Sequence, residues 1–499
     1  MVFSSHVFLF CFLPITLTVY YALPRRARHL ALTLLSYLFY GWANPLFVVL
    51  LLTSTTIDYL CGLALAGRGP SWMARLAGRR EVAARWARPI GLVAPRDPAG
   101  AGRRRLAVAL SVSTNLALLG FFKYFNFGVD TVNGVAAWLG VPWLHLDVAL
   151  RVTLPLGISF YTFQSMSYTI DVSRGHAKAL RSFVDFACYV SMFPQLVAGP
   201  IIRFAEVAEQ LASRTHSVTK CARGIAFISL GLAKKVLLAN PCGRIADLAF
   251  DAGAIGTLDA WFGVTAYAFQ IYFDFSGYSD MAIGLGLMLG FVFPKNFDSP
   301  YHAQSITEFW RRWHISLSSW LRDYLYVPLG GSRAGPGRTY VNLALVMLLG
   351  GLWHGSSWTF VVWGGFHGVL LAVERSLGGA GPYRFLPAPF RTTLTFCLVL
   401  VSWVFFRAAD LGAATTYLRS MLGLEAPADA ARLLGQVMWE PYSLASFACA
   451  AAITWAGPQT WDWTRRLTAA KAILVMTLLG LACAILSTQA YNPFIYFIF

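Results

Sequence analysis

The chain has 499 residues, of which 57% are hydrophobic and 13% are charged, and its formal net charge is +17. Soluble domains carry about 25% charged residues, and a folded chain of this size has too little interior to bury so large an apolar share. The composition excludes disordered, collagen-like and disulfide-scaffold proteins and predicts a polytopic membrane protein in a lipid bilayer. The basic residues lie in short loops between apolar runs, which argues against a nucleic-acid-binding protein.

The first apolar run covers residues 7–23 and predicts a retained membrane span, because no Lys or Arg precedes it and no small-residue cleavage site follows. Three Arg between 25 and 28 place the N-terminus outside the cytoplasm. Residues 29–66 are expected to cross twice, with Asn44-Pro45 as the turn. The segment 68–105 carries ten Arg and two acidic residues, which predicts a basic cytoplasmic loop.

Later apolar runs predict an all-α protein with roughly 11–13 spans, some of them re-entrant, because a helix needs about 20 apolar residues to cross a bilayer. The chain shows no repeat and no soluble domain, so residues 1–499 are expected to form one membrane domain. Arg465 and Arg466 precede the last run, which places the C-terminal tail (residues 490–499) outside the cytoplasm. This aromatic tail is either an interfacial anchor or a segment that inserts into the protein and presents the Tyr496 hydroxyl.

The segment 305–326 is predicted to form one amphipathic helix. Ser305 and Glu308 fit a capping box at its start. One apolar stripe contains Trp310, Trp313, Leu317, Trp320, Leu321 and Tyr324, and His314 is expected at its edge. The remaining faces carry Arg311, Arg312 and Arg322. Two interpretations stay open: an interfacial helix on lipid phosphates, or a cytoplasmic rim that binds the phosphates of an anionic substrate.

The segment 341–373 is apolar for longer than one span needs, and a Gly- and Ser-rich stretch around His354 interrupts it. Two half-helices that meet inside a membrane have to line a cavity or be buried in protein. His354 lies at this break beside Trp353, and an ionisable residue at membrane depth is a functional candidate. The alternative is a neutral histidine bonded to a neighbouring helix. His367 has Gly neighbours too and is expected to be structural.

Two carboxylates, Asp274 and Asp280, lie in a hydrophobic stretch at a spacing that does not put them on one helical face. They are expected to orient a histidine or to pair with an Arg of the segment 305–326, and structural pairing is favoured over acid–base work. The chain lacks a Gly-x-Ser-x-Gly elbow, an HExxH motif, a P-loop and a His-x4-Asp motif. Nothing therefore predicts a metal, serine hydrolysis or ATP-driven transport.

Three motifs together resemble the bacterial membrane-bound O-acyltransferases. They are the run from Glu308 to Gly331, the pentapeptide 351–355 (Gly-Leu-Trp-His-Gly) and the stretch from Tyr272 to Asp280. The opening Met1-Val2-Phe3-Ser4-Ser5 and the aromatic ending make the alginate O-acetylation subgroup the nearest likeness. The resemblance covers essentially the whole chain.

This resemblance implies a helical bundle around a funnel or tunnel in the bacterial inner membrane. It implies that His354 is the catalytic histidine, that His314 is a second conserved polar position, often His or Asn, and that Tyr496 occupies the place of a proposed acyl carrier. The donor would be a cytoplasmic acyl thioester, commonly acetyl-CoA, with no further cofactor. An extracytoplasmic SGNH-like acetyltransferase would be the partner that modifies the polysaccharide.

The residues themselves fit this chemistry. A neutral imidazole can remove the proton of an attacking hydroxyl, and a dry tunnel protects the thioester from water. Phosphates of the donor would suit a basic aromatic rim, which the sequence offers in Arg311, Arg312, Arg322, Trp310 and Trp313. Asp274 and Trp353 complete the predicted substrate-binding set. Two alternatives remain: a related enzyme that acts on teichoic acid, a lipid or a protein, and a membrane transporter with half-helices at its substrate site.

Overall fold

A computed structural model describes residues 1–67, 92–93, 100–148, 151–378, 383, 385–428, 431, 436–489 and 491–493. These residues contain twenty α-helices and a single antiparallel ladder of two-residue strands. The predicted all-α class is confirmed. The chain folds into two compact units, residues 1–224 with 285–293 and residues 225–284 with 294–499. The prediction of one membrane domain stays a prediction.

The first unit is built on long helices that follow a short π-helical segment at Phe8–Phe12. Its helices are α1 Leu13–Ala22, α2 Arg28–Gly41, α3 Leu46–Leu65, α4 Ala101–Leu139, α5 Ile158–Arg174, α6 Phe183–Ser191, α7 Phe193–Leu196 and α8 Phe204–Ala212. Strand β1 (Leu92–Val93) pairs with β2 (Ala179–Leu180). The turn predicted at Asn44 is confirmed, because the chain bends between α2 and α3 and the Asn44 side chain accepts the Leu46 N–H at 3.0 Å.

The basic segment 68–105 falls mostly outside the described residues. Its last part is helical, because α4 begins at Ala101 and includes the three consecutive Arg from 103 to 105. At 1.5 Å per residue its 39 residues extend about 58 Å, well beyond the roughly 30 Å of a hydrocarbon core. Asp58 of α3 is fully buried and accepts hydrogen bonds from Ser111 at 2.6 Å and Asn115 at 2.8 Å, which joins α3 to α4 through a satisfied polar network.

The second unit contains the three motifs at 272–280, 308–331 and 351–355. Its helices are α9 Val218–Ala233, which begins in the first unit, α10 Asn240–Asp251, α11 Thr257–Met288, which ends in the first unit, α12 Ile306–Arg312, α13 Ile315–Leu321, α14 Pro336–His354, α15 Trp358–Ser376, α16 Ala388–Arg407, α17 Leu411–Met421, α18 Pro441–Ala456, α19 Thr460–Trp463 and α20 Ala469–Thr488. π-helical turns lie at Lys234–Ala239 and Arg322–Tyr326. Its core is strongly aromatic, with Trp363 and Trp403 fully buried.

Four described helices are long and apolar enough to cross a bilayer, namely α3, α4 from Gly102, α16 and α20. The exposed faces of these helices carry large apolar side chains, as expected where lipid is the solvent. The chain is therefore a multi-pass membrane protein. The number of 11–13 spans and the outward orientation of both termini stay predictions.

Candidate active site

The motif helix predicted over 305–326 is not continuous. Ser305 caps α12 and accepts the Glu308 N–H at 3.0 Å, as predicted, but α12 ends at Arg312. His314 adopts a left-handed conformation with φ 43° and ψ 55°, and α13 starts one residue later. The single-helix prediction is wrong because the chain turns at His314.

Asn296 accounts for this turn. Its carbonyl oxygen accepts the Ile315 N–H at 2.9 Å, and its side-chain oxygen accepts the N–H and hydroxyl of Ser316 at 3.1 and 2.9 Å. The N–H groups of Ile315 and Ser316 belong to the first turn of the new helix, where main-chain donors have no intrahelical partners. Asn296 therefore stabilises a second helix start where a continuous helix would have none.

Because the chain turns at His314, the prediction that it lies at the edge of one continuous helical stripe is wrong. His314 is completely buried. Its ring lies 4.6 Å from Phe275 and 5.9 Å from Trp353 between ring centroids. Within the described residues neither ring nitrogen has a hydrogen-bond partner. A buried polar group without a partner and a strained backbone both cost free energy, and both concentrate at functional sites.

His354 is the last residue of α14 and is 6% exposed. Its Nδ1 lies 2.7 Å from the Gly350 carbonyl oxygen, which can only accept, so Nδ1 carries the proton and Nε2 is the basic nitrogen of the neutral ring. Trp353 and Trp363 lie 5.0 Å from the ring, and Phe406 lies 5.5 Å from it. The imidazole is thus oriented by a main-chain bond within an aromatic enclosure.

The predicted break near His354 is confirmed, because α14 ends at His354 and α15 begins at Trp358. The two segments are not half-helices, however. Each has 19 residues, and they pack against each other as an antiparallel hairpin. Gly351 faces Gly364 so closely that a methyl group on Gly351 would lie 3.2 Å from the Gly364 Cα. Two glycines at the crossing let the backbones touch, which fixes the helix end that carries His354.

The rings of His314 and His354 are 6.4 Å apart between centroids. This separation is too large for a direct hydrogen bond of about 2.8 Å, but one oxygen atom between the rings could contact both. Burial and the neighbouring His354 lower the pKa of His314, which lies between two short helices and outside the helices long enough to span a membrane. A neutral imidazole pair in a dry site can accept and return a proton.

His367 of α15 belongs to the same aromatic cluster. Its Nδ1 accepts the Trp310 indole N–H at 3.3 Å, and Trp363 lies 5.0 Å from both His367 and His354. Its Nε2 has no partner within the described part of the chain. The single hydrogen bond to Trp310 agrees with a structural role, and that role stays a prediction.

The residues of the predicted phosphate-binding rim have different environments. Arg312 pairs with Glu308 at 2.8 Å, and its guanidinium also donates to the Asp298 carbonyl at 3.0 Å. Arg322 pairs with its neighbour Asp323 at 2.6 Å. Trp313 is buried in the aromatic core, whereas Trp310 is half-buried and Arg311 is exposed. Arg311 therefore offers the more available cation, and the substrate-binding role of the set stays a prediction.

Asp274 and Asp280 form buried ion pairs with two consecutive lysines. Lys235 lies 2.8 Å from Asp274, with both side chains no more than 3% exposed, and Lys234 lies 2.7 Å from Asp280. The expected partners, an Arg of the segment 305–326 or a histidine, are replaced by lysines of the π-helical turn after α9. The expectation of structural pairing agrees with this geometry.

Sequence reasoning missed Asn296, Lys235 and Glu374. Glu374 of α15 is 2% exposed and accepts the Ile306 N–H at 2.6 Å and the Thr307 N–H at 2.9 Å, which caps the motif helix α12 from a distant segment. A lone carboxylate at the end of the apolar run 358–374 was the available signal for it.

Tyr496 lies outside the described residues. The described part of the tail, residues 491–493, contacts the second unit: the Tyr491 hydroxyl donates to Asp247, and the Pro493 carbonyl accepts from Lys235. Both interpretations of the tail, an interfacial anchor and a segment that inserts into the protein, stay predictions.

Comparison with known proteins identifies relatives over most of the chain. The family model for membrane-bound O-acyltransferases matches residues 143–406. A probable alginate O-acetylase of Pseudomonas putida is 43% identical over 522 aligned residues and covers 100% of both chains. A probable alginate O-acetylase of Pseudomonas aeruginosa is 47% identical over 82% of this chain and 73% of its own length. A peptidoglycan O-acetyltransferase of Helicobacter pylori is 35% identical over 85% of this chain and 80% of its own.

Proposed function

Because the chain belongs to the membrane-bound O-acyltransferase family, we propose that it moves acetyl groups from acetyl-CoA in the cytoplasm to a polysaccharide outside it. The observation that carries this proposal is the buried pair of His314 and His354 within an aromatic enclosure. The site holds proton acceptors and excludes water, which are the two requirements for transfer from a thioester without hydrolysis.

In the proposed reaction His354 is the general base. Its Nε2 accepts the proton of an attacking hydroxyl, whose oxygen forms a C–O bond with the acetyl carbonyl carbon. The C–S bond of the thioester breaks, and the proton on Nε2 passes to the leaving thiolate to give the free thiol. The hydrogen bond from Nδ1 to the Gly350 carbonyl stabilises the transient imidazolium, because that carbonyl is fixed by its helix.

We assign Tyr496 as the first acceptor. Pro493 lies against Lys235, which pairs with Asp274, and the next residue of α11, Phe275, contacts the His314 ring. Three further residues of extended chain reach about 10 Å. We propose that this length, together with the tyrosine side chain, lets the phenol of Tyr496 approach the histidine pair. An extracytoplasmic SGNH-like acetyltransferase then takes the acetyl group from the tyrosine ester.

The acceptor class follows from the relatives. Their names specify alginate and peptidoglycan, both of which carry sugar hydroxyls, and the alginate O-acetylases have the higher identities. We therefore propose an exopolysaccharide such as alginate as the final acceptor and the bacterial inner membrane as the location. The phosphates of the donor meet Arg311 on the exposed side of α12.

The direct test is incubation of the purified protein with acetyl-CoA labelled in the acetyl group. Wild type is expected to acquire protein-bound label, and Tyr496→Phe is expected to acquire none. His354→Ala is expected to slow labelling by about 10²- to 10⁴-fold, the usual contribution of a general base. Wild-type labelling rates in His354→Ala would contradict the base role, and full labelling of Tyr496→Phe would contradict the carrier role.

A further inference from the structure

The tail of this chain is held by polar side chains inside the second unit. Within the described residues three of these side chains hydrogen-bond to residues 491–493, and we name them the tail seat: Lys235, Asn240 and Asp247. Asn240 donates from its side-chain nitrogen to the Tyr491 carbonyl oxygen at 3.3 Å. Asp247 accepts from the Tyr491 hydroxyl and is itself held by Arg407 at 2.7 Å.

Lys235 contacts the tail at Pro493, two residues beyond Tyr491. Its ammonium donates to the Pro493 carbonyl and pairs with Asp274 at 2.8 Å, and its side chain is 3% exposed. Burying two charges is expensive even when they pair, so such a pair is weak evidence for stability. A charged donor aimed at one carbonyl oxygen does, however, define the position of that residue closely.

The adjacent lysine provides an internal comparison. Lys234 also lies on the π-helical turn and pairs with an aspartate of α11, Asp280, at 2.7 Å. It lines a small polar cavity with Ser276 and Gln459 and makes no described contact with the tail. Both lysines therefore form an ion pair with an aspartate of α11, but only Lys235 also contacts the tail in the described part of the chain.

The close fit of Tyr491 supports a defined seat. Its hydroxyl lies over Gly243 of α10, where a methyl group would be 3.0 Å from the hydroxyl oxygen. Asn240, Gly243 and Asp247 follow one another at helical spacings of three and four residues, so they share one face of α10. This face places the Asn240 amide, the Gly243 backbone without a side chain and the Asp247 carboxylate next to residues 491–493.

We propose that Lys235 is a positioning residue that fixes the tail at Pro493 and so delivers the following residues to the histidine pair, with Asp274 holding Lys235 in place. The inference rests on the proposed function, since it assumes that the tail carries the acetyl group. In this proposal Asp274 positions the tail through Lys235 and does not bind the acyl donor. Lys235 touches no reacting atom, and its effect passes through the position of the tail.

The test combines tail mobility with transfer kinetics. Lys235→Met removes the donor, and the double variant Lys235→Met with Asp274→Leu also removes the charge that would remain buried. The matched control is Lys234→Met with Asp280→Leu. Hydrogen–deuterium exchange of the peptide 487–499 is measured in each purified protein, together with transfer of labelled acetyl from acetyl-CoA.

In both Lys235 variants the amide hydrogens of this peptide are expected to exchange at least about tenfold faster than in wild type, because Lys235 no longer holds the tail in place. Transfer is expected to fall about 10- to 100-fold in kcat with an unchanged KM for acetyl-CoA, the signature of a misplaced reactant. The control is expected to match wild type in the exchange of the tail peptide.

Unchanged exchange in both Lys235 variants would overturn the proposal whatever the activity. Faster exchange with unchanged kcat would also overturn it, because the tail position would then not matter for transfer. An inactive wild type would instead refute the proposed function, and the exchange measurement would still decide whether Lys235 holds the tail.

Discussion

The buried Glu374 allows the effect of a substitution on the free energy of unfolding to be predicted from its hydrogen bonds. Its buried carboxylate accepts four hydrogen bonds: from the Ile306 N–H at 2.6 Å, from the N–H and hydroxyl of Thr307 at 2.9 and 2.7 Å, and from the Tyr383 hydroxyl. Glu374→Ala removes both carboxylate oxygens and with them all four hydrogen bonds. The two hydroxyls can rotate toward other partners, but the two main-chain N–H groups at the start of α12 cannot.

Each buried donor left without a partner costs about 1–3 kcal/mol, so two of them give about 2–6 kcal/mol. Loss of the carboxylate also removes its own desolvation cost, which offsets part of this sum. We therefore expect Glu374→Ala to lower the free energy of unfolding by about 2–4 kcal/mol, and Glu374→Gln to lower it less, because Gln keeps one accepting oxygen.

The assay is reversible unfolding of the purified protein in detergent, with increasing denaturing surfactant and tryptophan fluorescence as the signal. Arg375→Ala is the matched control, because Arg375 is the exposed neighbour on the same helix and its loss should change stability by less than about 0.5 kcal/mol. If Glu374→Ala unfolds within about 1 kcal/mol of wild type, the assignment of Glu374 as the cap of α12 is refuted.

Two further predictions concern the hairpin and the basic residues. Gly351→Ala puts a methyl group against Gly364 and the Phe360 carbonyl, so we expect it to lower the free energy of unfolding by about 1–3 kcal/mol and to reduce acetyl transfer. Gly365→Ala is the control, because its methyl group would lie 3.7 Å from the nearest side-chain atom, and it should change neither stability nor transfer. Arg311→Ala should raise the KM for acetyl-CoA without changing stability, and Arg312→Ala should lower stability by up to about 1 kcal/mol through loss of its ion pair. An unchanged KM for Arg311→Ala would remove it from the donor site.

Local sequence signals predicted the features that depend on local chemistry. Asn44-Pro45 forms a turn and the Gly- and Ser-rich stretch after His354 ends a helix, because these residue types have a low helix propensity. The turn at His314 was not predictable in this way. It depends on Asn296, which is 18 residues away and carries no motif of its own.

The same limit applies to the buried charges. Lys235 and Asp274 are 39 residues apart, and Glu374 caps a helix 68 residues earlier in the chain. A carboxylate in an apolar run predicts that some partner exists, but the choice between Arg, Lys and main-chain donors is made by tertiary packing. Resemblance to a family therefore indicated the two histidines, while the groups that hold them became apparent only in three dimensions.

The left-handed backbone at position 314 limits which residues the site tolerates. Asn, Asp and His adopt this conformation more readily than other non-glycine residues, and for an ordinary L-residue it costs about 1–2 kcal/mol. Replacing His314 with alanine would destabilise the left-handed backbone as well as remove the imidazole. The loss of activity in such a variant would therefore overstate the contribution of the imidazole. Asparagine preserves the turn, and glycine relieves it, so comparison of these two separates the conformational role of residue 314 from its chemistry. The backbone at position 314 is therefore expected to accept only a short list of side chains, whatever reaction the neighbouring His354 performs.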